Sequence, residues 1–179
     1  MVKNVLILSA SPRKGGNSDC LADEFVRGAR EAGNQVEKVT LYDKTIGFCK
    51  GCLSCQNTQH CIIHDDAEVI AQKMLTADVI AFATPIYYYG MCGQMKTLLD
   101  RTNPLFPSDY AFRDIYLLAS AADGAESAMD GAVKGLQGWI DCFEKARLAG
   151  TVFAGGVTSV GEIQNHPALE KAYELGKHA

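Results

Sequence analysis

Short apolar runs alternate with stretches of helical period along this chain. Val2–Leu8 predicts a first, buried strand, and Asp19–Ala32 a helix. That helix sets Leu21, Ala22, Phe25, Val26 and Ala29 on one face and Asp23, Glu24, Arg27, Arg30 and Glu31 elsewhere. Gly33 and Asn34 are its stop signals. Val36–Leu41 alternates apolar with polar, as a half-exposed edge strand does. Residues 43–64 carry neither period. A helix from about Asp66 to Ala77 follows, with Ala67, Ile70, Ala71 and Met74 in a stripe, and Asp65 with Glu68 resembles a capping box. Val79–Ala83 is continuously apolar, which predicts a central strand. Met95, Leu98 and Leu99 mark a third helix that stops before Pro104, and Asn103–Arg113 reads as a surface loop. Ile115–Ala121 is a fourth strand. Met129, Ala132, Val133, Leu136, Ile140 and Phe143 share one face of a long helix. A fifth strand lies around Thr151–Phe153, and the last helix is Pro167–Lys177.

Five β–α pairs predict an α/β fold: a doubly wound, five-stranded parallel sheet of order 2-1-3-4-5 between two helical layers. The chain, 1–179, reads as a single domain with 43–64 as an insertion loop. Ligands of such sheets lie beyond the C-terminal ends of the strands at the switch point. There the loops after strands one, three and four converge. With 47% apolar and 21% charged residues the composition is that of a soluble globular protein. A net charge of −4 argues against a nucleic-acid partner. No apolar run is long enough to span a membrane, and the N-terminal residues read as a strand rather than a signal peptide. The expectation is a cytoplasmic protein.

The loop Ser9-Ala10-Ser11-Pro12-Arg13-Lys14-Gly15-Gly16-Asn17-Ser18 runs from a strand into a helix. Its backbone amides, the free N–H groups of the first helical turn and the helix dipole all favour an anion. Ser9, Ser11, Asn17 and Ser18 add side-chain donors, and Arg13 a planar fork suited to phosphate. A polar turn with a serine cap is the plain alternative, but so many donors in one loop favour phosphate. Neither G-x-x-x-x-G-K-[S/T] nor G-x-G-x-x-G is present, which leaves a mononucleotide as the candidate ligand. The second loop, Thr84-Pro85-Ile86-Tyr87-Tyr88-Tyr89-Gly90, offers a flat, partly apolar wall to a planar ring. Together the two loops point to flavin mononucleotide (FMN).

Ser9–Ser18 with Thr84–Arg101 (T-P-I-Y-Y-Y-G-M-C-G-Q-M-K-T-L-L-D-R) resembles the NAD(P)H-dependent FMN reductase and iron-sulfur flavoprotein group of the flavodoxin-like superfamily. The resemblance runs over nearly the whole chain, including G-E-I-Q-N-H-P-A-L-E-K-A-Y-E-L-G. It implies that Ser11, Arg13, Asn17 and Ser18 hold the FMN phosphate and that Pro85–Tyr89 pack along the isoalloxazine. Ala121–Gly124 would lie near the other part of the ring. The expected cofactor set is thus Ser9, Ser11, Arg13, Gly16, Asn17, Ser18, Thr84, Pro85, Ile86, Tyr87, Tyr88, Tyr89, Gly90, Ala121, Asp123 and Gly124. Ser9 stands where the family commonly has glycine.

Cys49-x2-Cys52-x2-Cys55-x5-Cys61 is a compact thiol set within a loop of about twenty residues, long for a connection in an α/β unit. It can ligate a [4Fe–4S] cluster or a zinc ion, pair as disulfides, or merely pack the loop as free thiols. The spacing resembles the cysteine motif of iron-sulfur flavoproteins. His60 and His64 flank Cys61, and Cys20 and Cys142 fall on predicted helices as packing residues. No nucleophile–base pair is evident. The expected function is an FMN-dependent oxidoreductase that passes reducing equivalents from NAD(P)H to a small-molecule or protein acceptor. The rivals are a cluster-bearing electron carrier and a flavin-binding regulatory module. No catalytic side chain is assigned, since the flavin carries the chemistry. The resemblance implies a homodimer or homotetramer.

Overall fold

The computed structural model describes residues 1–179. Strands β1 (Asn4–Ser9), β2 (Gln35–Thr40), β3 (Val79–Tyr87), β5 (Asp114–Ser120) and β6 (Arg147–Ala154) form a parallel sheet of order β2-β1-β3-β5-β6. A sixth strand corrects the expected count of five. The two-residue β4 (Gly90–Met91) folds back antiparallel on the end of β3. Its brevity hides it from any periodicity argument. The helices are α1 (Asn17–Glu31), α2 (Cys55–Thr58), α3 (Asp66–Thr76), α4 (Gly93–Asp100), α5 (Asp130–Ile140) and α6 (Ala168–Lys177).

Side chains alternate between the two faces of the sheet, as the pleat requires. Val5 and Ile7 of β1, Val79, Ala81 and Ala83 of β3, and Tyr116 and Leu118 of β5 pack with Leu21, Phe25 and Ala29 of α1 and Ala168 and Ala172 of α6. Leu6, Leu8, Ile80, Phe82, Ile115 and Leu117 face the opposite core, with Ile70 and Met74 of α3, Met95 and Leu98 of α4, and Leu136 and Ile140 of α5. Burial on both faces explains why β1 and β3 read as continuous apolar runs. At the edge, β2 is only partly buried, as its alternation predicts. Gly28 of α1 and Gly176 of α6 let these helices cross closely, since a Cβ on either would strike the partner's backbone.

Several local expectations change. Asn103–Arg113 is not a surface loop: Leu105, Tyr110 and Phe112 are buried, and Phe112 stacks at 5.7 Å on Trp139 of α5. The proline-rich spacing conceals this aromatic packing. Asp65 caps α3 by accepting from the Ala67 N–H, but Glu68 does not close a capping box; it pairs with His64 instead. The cysteine loop contains one helical turn, α2. Cys142 lies beyond the end of α5 and is exposed rather than packed on a helix.

Candidate functional site

Strand register brings the predicted loops to one edge of the sheet. Ser9 of β1 stands level with Ala83 of β3, and Pro85 with Ser120 of β5. Beyond this level β1 and β5 end, while β3 runs on to Tyr87 and pairs with β4.

The first loop is built around a buried carboxylate. Asp19 in the first turn of α1 accepts from the Ser9 hydroxyl at 2.6 Å and from the Gly15 N–H at 3.2 Å, and pairs with the Lys38 ammonium at 2.7 Å. Burial works against its charge, but these partners outweigh burial and hold its pKa below the usual carboxylate range. The Ser9 hydroxyl is therefore committed to shaping the loop. The Ser11 hydroxyl donates to the Arg13 carbonyl at 2.7 Å, and a Cβ on Gly16 would collide with that hydroxyl oxygen. A side chain at Gly16 would have to displace that hydroxyl and crowd the Arg13 carbonyl.

Two polar atoms of the loop have no partner. Asn17 Oδ1 and Ser18 Oγ are buried, in residues only 3% and 1% exposed, and neither makes a hydrogen bond. They stand at the start of α1, whose first amides have no intrahelical acceptor. Buried polar atoms are almost always satisfied, so this pair marks the head of α1 as a candidate ligand contact. The donors present match a phosphate: a hydroxyl, a carboxamide that can present either end, free amides and the positive end of a helix dipole.

The second loop is a two-residue hairpin. Tyr87 pairs with Gly90, and Tyr88 and Tyr89 between them have φ of 49° and 61°. Left-handed backbone at both central positions is a type I′ turn, where glycine or asparagine is usual. Two tyrosines there carry strain, a pattern that clusters at functional sites. All three tyrosines are exposed, Tyr88 fully. Beneath them Thr84, Pro85 and, in part, Ile86 are buried. The Cys92 N–H donates to Thr84 Oγ1 at 3.1 Å, and the Cys92 thiol donates to the Ala10 carbonyl at 3.4 Å. Cys92 thus fastens the second loop to the first.

The third loop continues the circuit. The Tyr89 hydroxyl donates to Asp123 Oδ2 at 3.3 Å, and the Asp123 carbonyl accepts from the Gly156 N–H at 3.3 Å. Ala121 is buried, whereas Asp123 and Gly124 are exposed. From the segment after β6, the Thr158 carbonyl accepts from the Arg13 guanidinium at 2.8 Å. Glu162 tethers that segment by accepting from the Thr158 and Ser159 N–H groups. Four segments therefore close a ring of contacts at this end of the sheet. Sequence reasoning found three of them and missed 156–162 as a wall, because its role arises only from contacts distant in sequence.

The cysteines lie apart, beside α4. Cys49, Cys52, Cys55 and Cys61 line one narrow hollow with Asp100, Arg101 and Asn103. All are free thiols, and Asn103 Nδ2 donates to Cys55 Sγ at 3.2 Å. No three of the chain's His, Cys, Asp or Glu side chains are arranged around a single metal ion, which counts against the zinc reading. His64 and His60 pair with Glu68. Arg101, which no sequence pattern marked, is buried and lines the same hollow.

Residues 3–166 match the family described as NADPH-dependent FMN reductase. The chain belongs to that family. Among the curated relatives of this FMN reductase family member is an iron-sulfur flavoprotein of Methanocaldococcus jannaschii, 39% identical over 101 residues; the match covers 56% of this chain and only 52% of that relative. Another iron-sulfur flavoprotein, from Methanosarcina thermophila, is 27% identical over 164 residues, 91% of this chain and 83% of the relative. Among solved structures, an azoreductase from Bacillus anthracis superposes with a TM-score of 0.75 at 18% identity, covering 99% of this chain and 100% of that one. An NAD(P)H:quinone oxidoreductase from Methanothermobacter marburgensis gives 0.71 at 18%, covering 99% and 98%. At such identities the structures establish the shared flavodoxin-like fold. No helix of the chain is long and apolar enough to cross a membrane.

Proposed function

We propose that this chain binds FMN across the crevice and passes reducing equivalents from NAD(P)H to a small-molecule or protein acceptor. The observation that carries this reading is the pair of unpartnered buried atoms, Asn17 Oδ1 and Ser18 Oγ, at the head of α1. Membership in a family of FMN reductases supports it independently. When bound, the flavin supplies the hydride and electron transfer that no side chain here can perform. The chain's part is to place it. Asn17, Ser18 and the first α1 amides receive the phosphate, and the Asp19–Lys38–Ser9 contacts keep that loop rigid. The Tyr87–Gly90 turn lies along the ring and shields it from water, and Asp123 holds Tyr89 in place. The exposed Tyr87, Tyr88 and Tyr89 support self-association as a homodimer or homotetramer that covers the outer side of the ring. The test is to add FMN to the purified chain, measure its stoichiometry, and reduce it anaerobically with NADPH. One flavin per chain, bleached by NADPH, is expected; a chain that retains no FMN at micromolar concentration refutes the reading.

One observation favours a second reading. All four cysteines of the loop line a single hollow, and although no three ligating side chains converge on one point, an iron-sulfur cluster asks only that each thiolate meet its own iron. On that reading Cys49, Cys52, Cys55 and Cys61 hold a [4Fe–4S] cluster, and the protein carries single electrons. The names of the archaeal relatives agree with it. Iron and acid-labile sulfide in anaerobic preparations decide between the readings.

A further inference from the structure

Arg101 closes α4 and is 2% exposed, yet it faces the one hollow that holds four thiols. Its guanidinium donates to both oxygens of Asp65, at 2.7 and 2.9 Å, to the Gly47 carbonyl at 2.7 Å and to the Ile63 carbonyl at 3.0 Å. Gly47 precedes the first cysteine of the loop, and Ile63 and Asp65 follow the last. One side chain thus pins both ends of the loop to the helix. Its remaining donor, Nε–H, is buried without a partner. Cys61 lies beside the guanidinium. A buried cation that keeps an unspent donor beside a set of thiols is poorly explained as a loop staple alone, because an unmade buried hydrogen bond is costly. It is well explained if the hollow receives a strongly anionic group.

We propose that Arg101 is a positioning residue for a thiolate-bound iron-sulfur group in this hollow, fixing the geometry of the loop and tuning the group's potential with its charge. The inference rests on the cluster reading above. A cluster held by four thiolates is anionic and becomes more so when it takes up an electron. A fixed positive charge with a donor beside one thiolate therefore stabilises the reduced form and raises the potential. Asp65 offsets part of that charge.

The test uses the full FMN-loaded chain, reconstituted anaerobically with iron and sulfide, and reads iron and sulfide content together with the midpoint of a dithionite titration followed by electron paramagnetic resonance. The variants are Arg101→Lys, Asp65→Asn and the double variant Asp65→Asn/Arg101→Gln. The wild type should hold about four irons and four sulfides per chain. Asp65→Asn should titrate at a higher potential than wild type. The double variant should titrate below Asp65→Asn, or lose most of its iron while keeping FMN. Arg101→Lys, which keeps the charge but not the fork, should keep the wild-type potential in whatever cluster it retains. Equal potentials and equal iron in Asp65→Asn and the double variant overturn the role of Arg101. If the double variant also loses FMN, and so its fold, the absence of an upward shift in Asp65→Asn overturns it instead. A wild-type chain that binds FMN but takes up no iron overturns the cluster reading itself and this inference with it, an outcome visible before any variant is made.

Discussion

Replacing Ser18 by Ala should push apo stability and FMN affinity in opposite directions. In the structure the Ser18 hydroxyl is buried and unpartnered. Leaving a buried hydroxyl unsatisfied costs about 1–3 kcal/mol, and alanine removes that penalty. Ser18 is also the second residue of α1, where alanine is intrinsically the better helix former by about 0.5 kcal/mol. Against this stands a small cavity where Oγ was. The apo chain should therefore gain about 1 kcal/mol, a rise of about 2–4 °C in melting temperature for a chain of this size. With FMN the sign reverses. A hydrogen bond to a charged phosphate is worth about 1.5–3 kcal/mol, so the dissociation constant should rise about 10- to 150-fold. Riboflavin lacks the phosphate, and its affinity should not change. Calorimetric melting of the apo chain and flavin titration, both with FMN and with riboflavin, measure all three quantities. A lower apo melting temperature combined with an unchanged FMN constant would refute the reasoning, because the hydroxyl would then serve the protein and not the ligand.

Tyr88→Gly should raise the stability of the apo chain by about 1 kcal/mol, since glycine adopts positive φ without the penalty a tyrosine bears; the same change should alter the spectrum of bound flavin, and a lower urea midpoint would contradict the strain argument. Gly176→Ala should destabilise by about 3 kcal/mol in urea titration, because its Cβ would meet the Phe25 backbone where α1 and α6 cross; a loss under 0.5 kcal/mol would show that the helices can part. Asp19 and Asp65 are both held below the usual carboxylate range: burial opposes their charge, but Lys38, Ser9 and Gly15 for the first, and Arg101, Gly47 and Ala67 for the second, outweigh it. Such groups contribute stability that is fully present above their unfolded pKa, about 3.9, and is lost as pH falls through the lower folded value. Urea midpoints should thus fall steeply below about pH 4, and a flat profile from pH 5 to 3 would contradict these contacts.

The sheet was legible in the sequence because burial on both faces leaves a mark on every position of a strand. Val5–Leu8 and Val79–Ala83 can be nothing else at their length, and the helices between them show their stripe. The loop Ser9–Ser18 was legible as a candidate anion site for a similar reason: its donors are adjacent in the chain, between a strand and a helix that local pattern already locates. The hairpin at Tyr88–Tyr89 was not, since two tyrosines at positive φ contradict local preference and persist only because Thr84, Cys92 and α5 hold the turn from outside. Nor could the sequence show that Ser9 serves Asp19 rather than a ligand, or that Leu105, Tyr110 and Phe112 lie inside. Arg101 is the clearest case. At the end of a helix, nothing in its local sequence marks it. Only the tertiary structure brings Gly47, Ile63 and Asp65 around it, because pairing a buried guanidinium needs acceptors from segments dozens of residues apart, and their convergence is a property of the fold and not of any window of the chain.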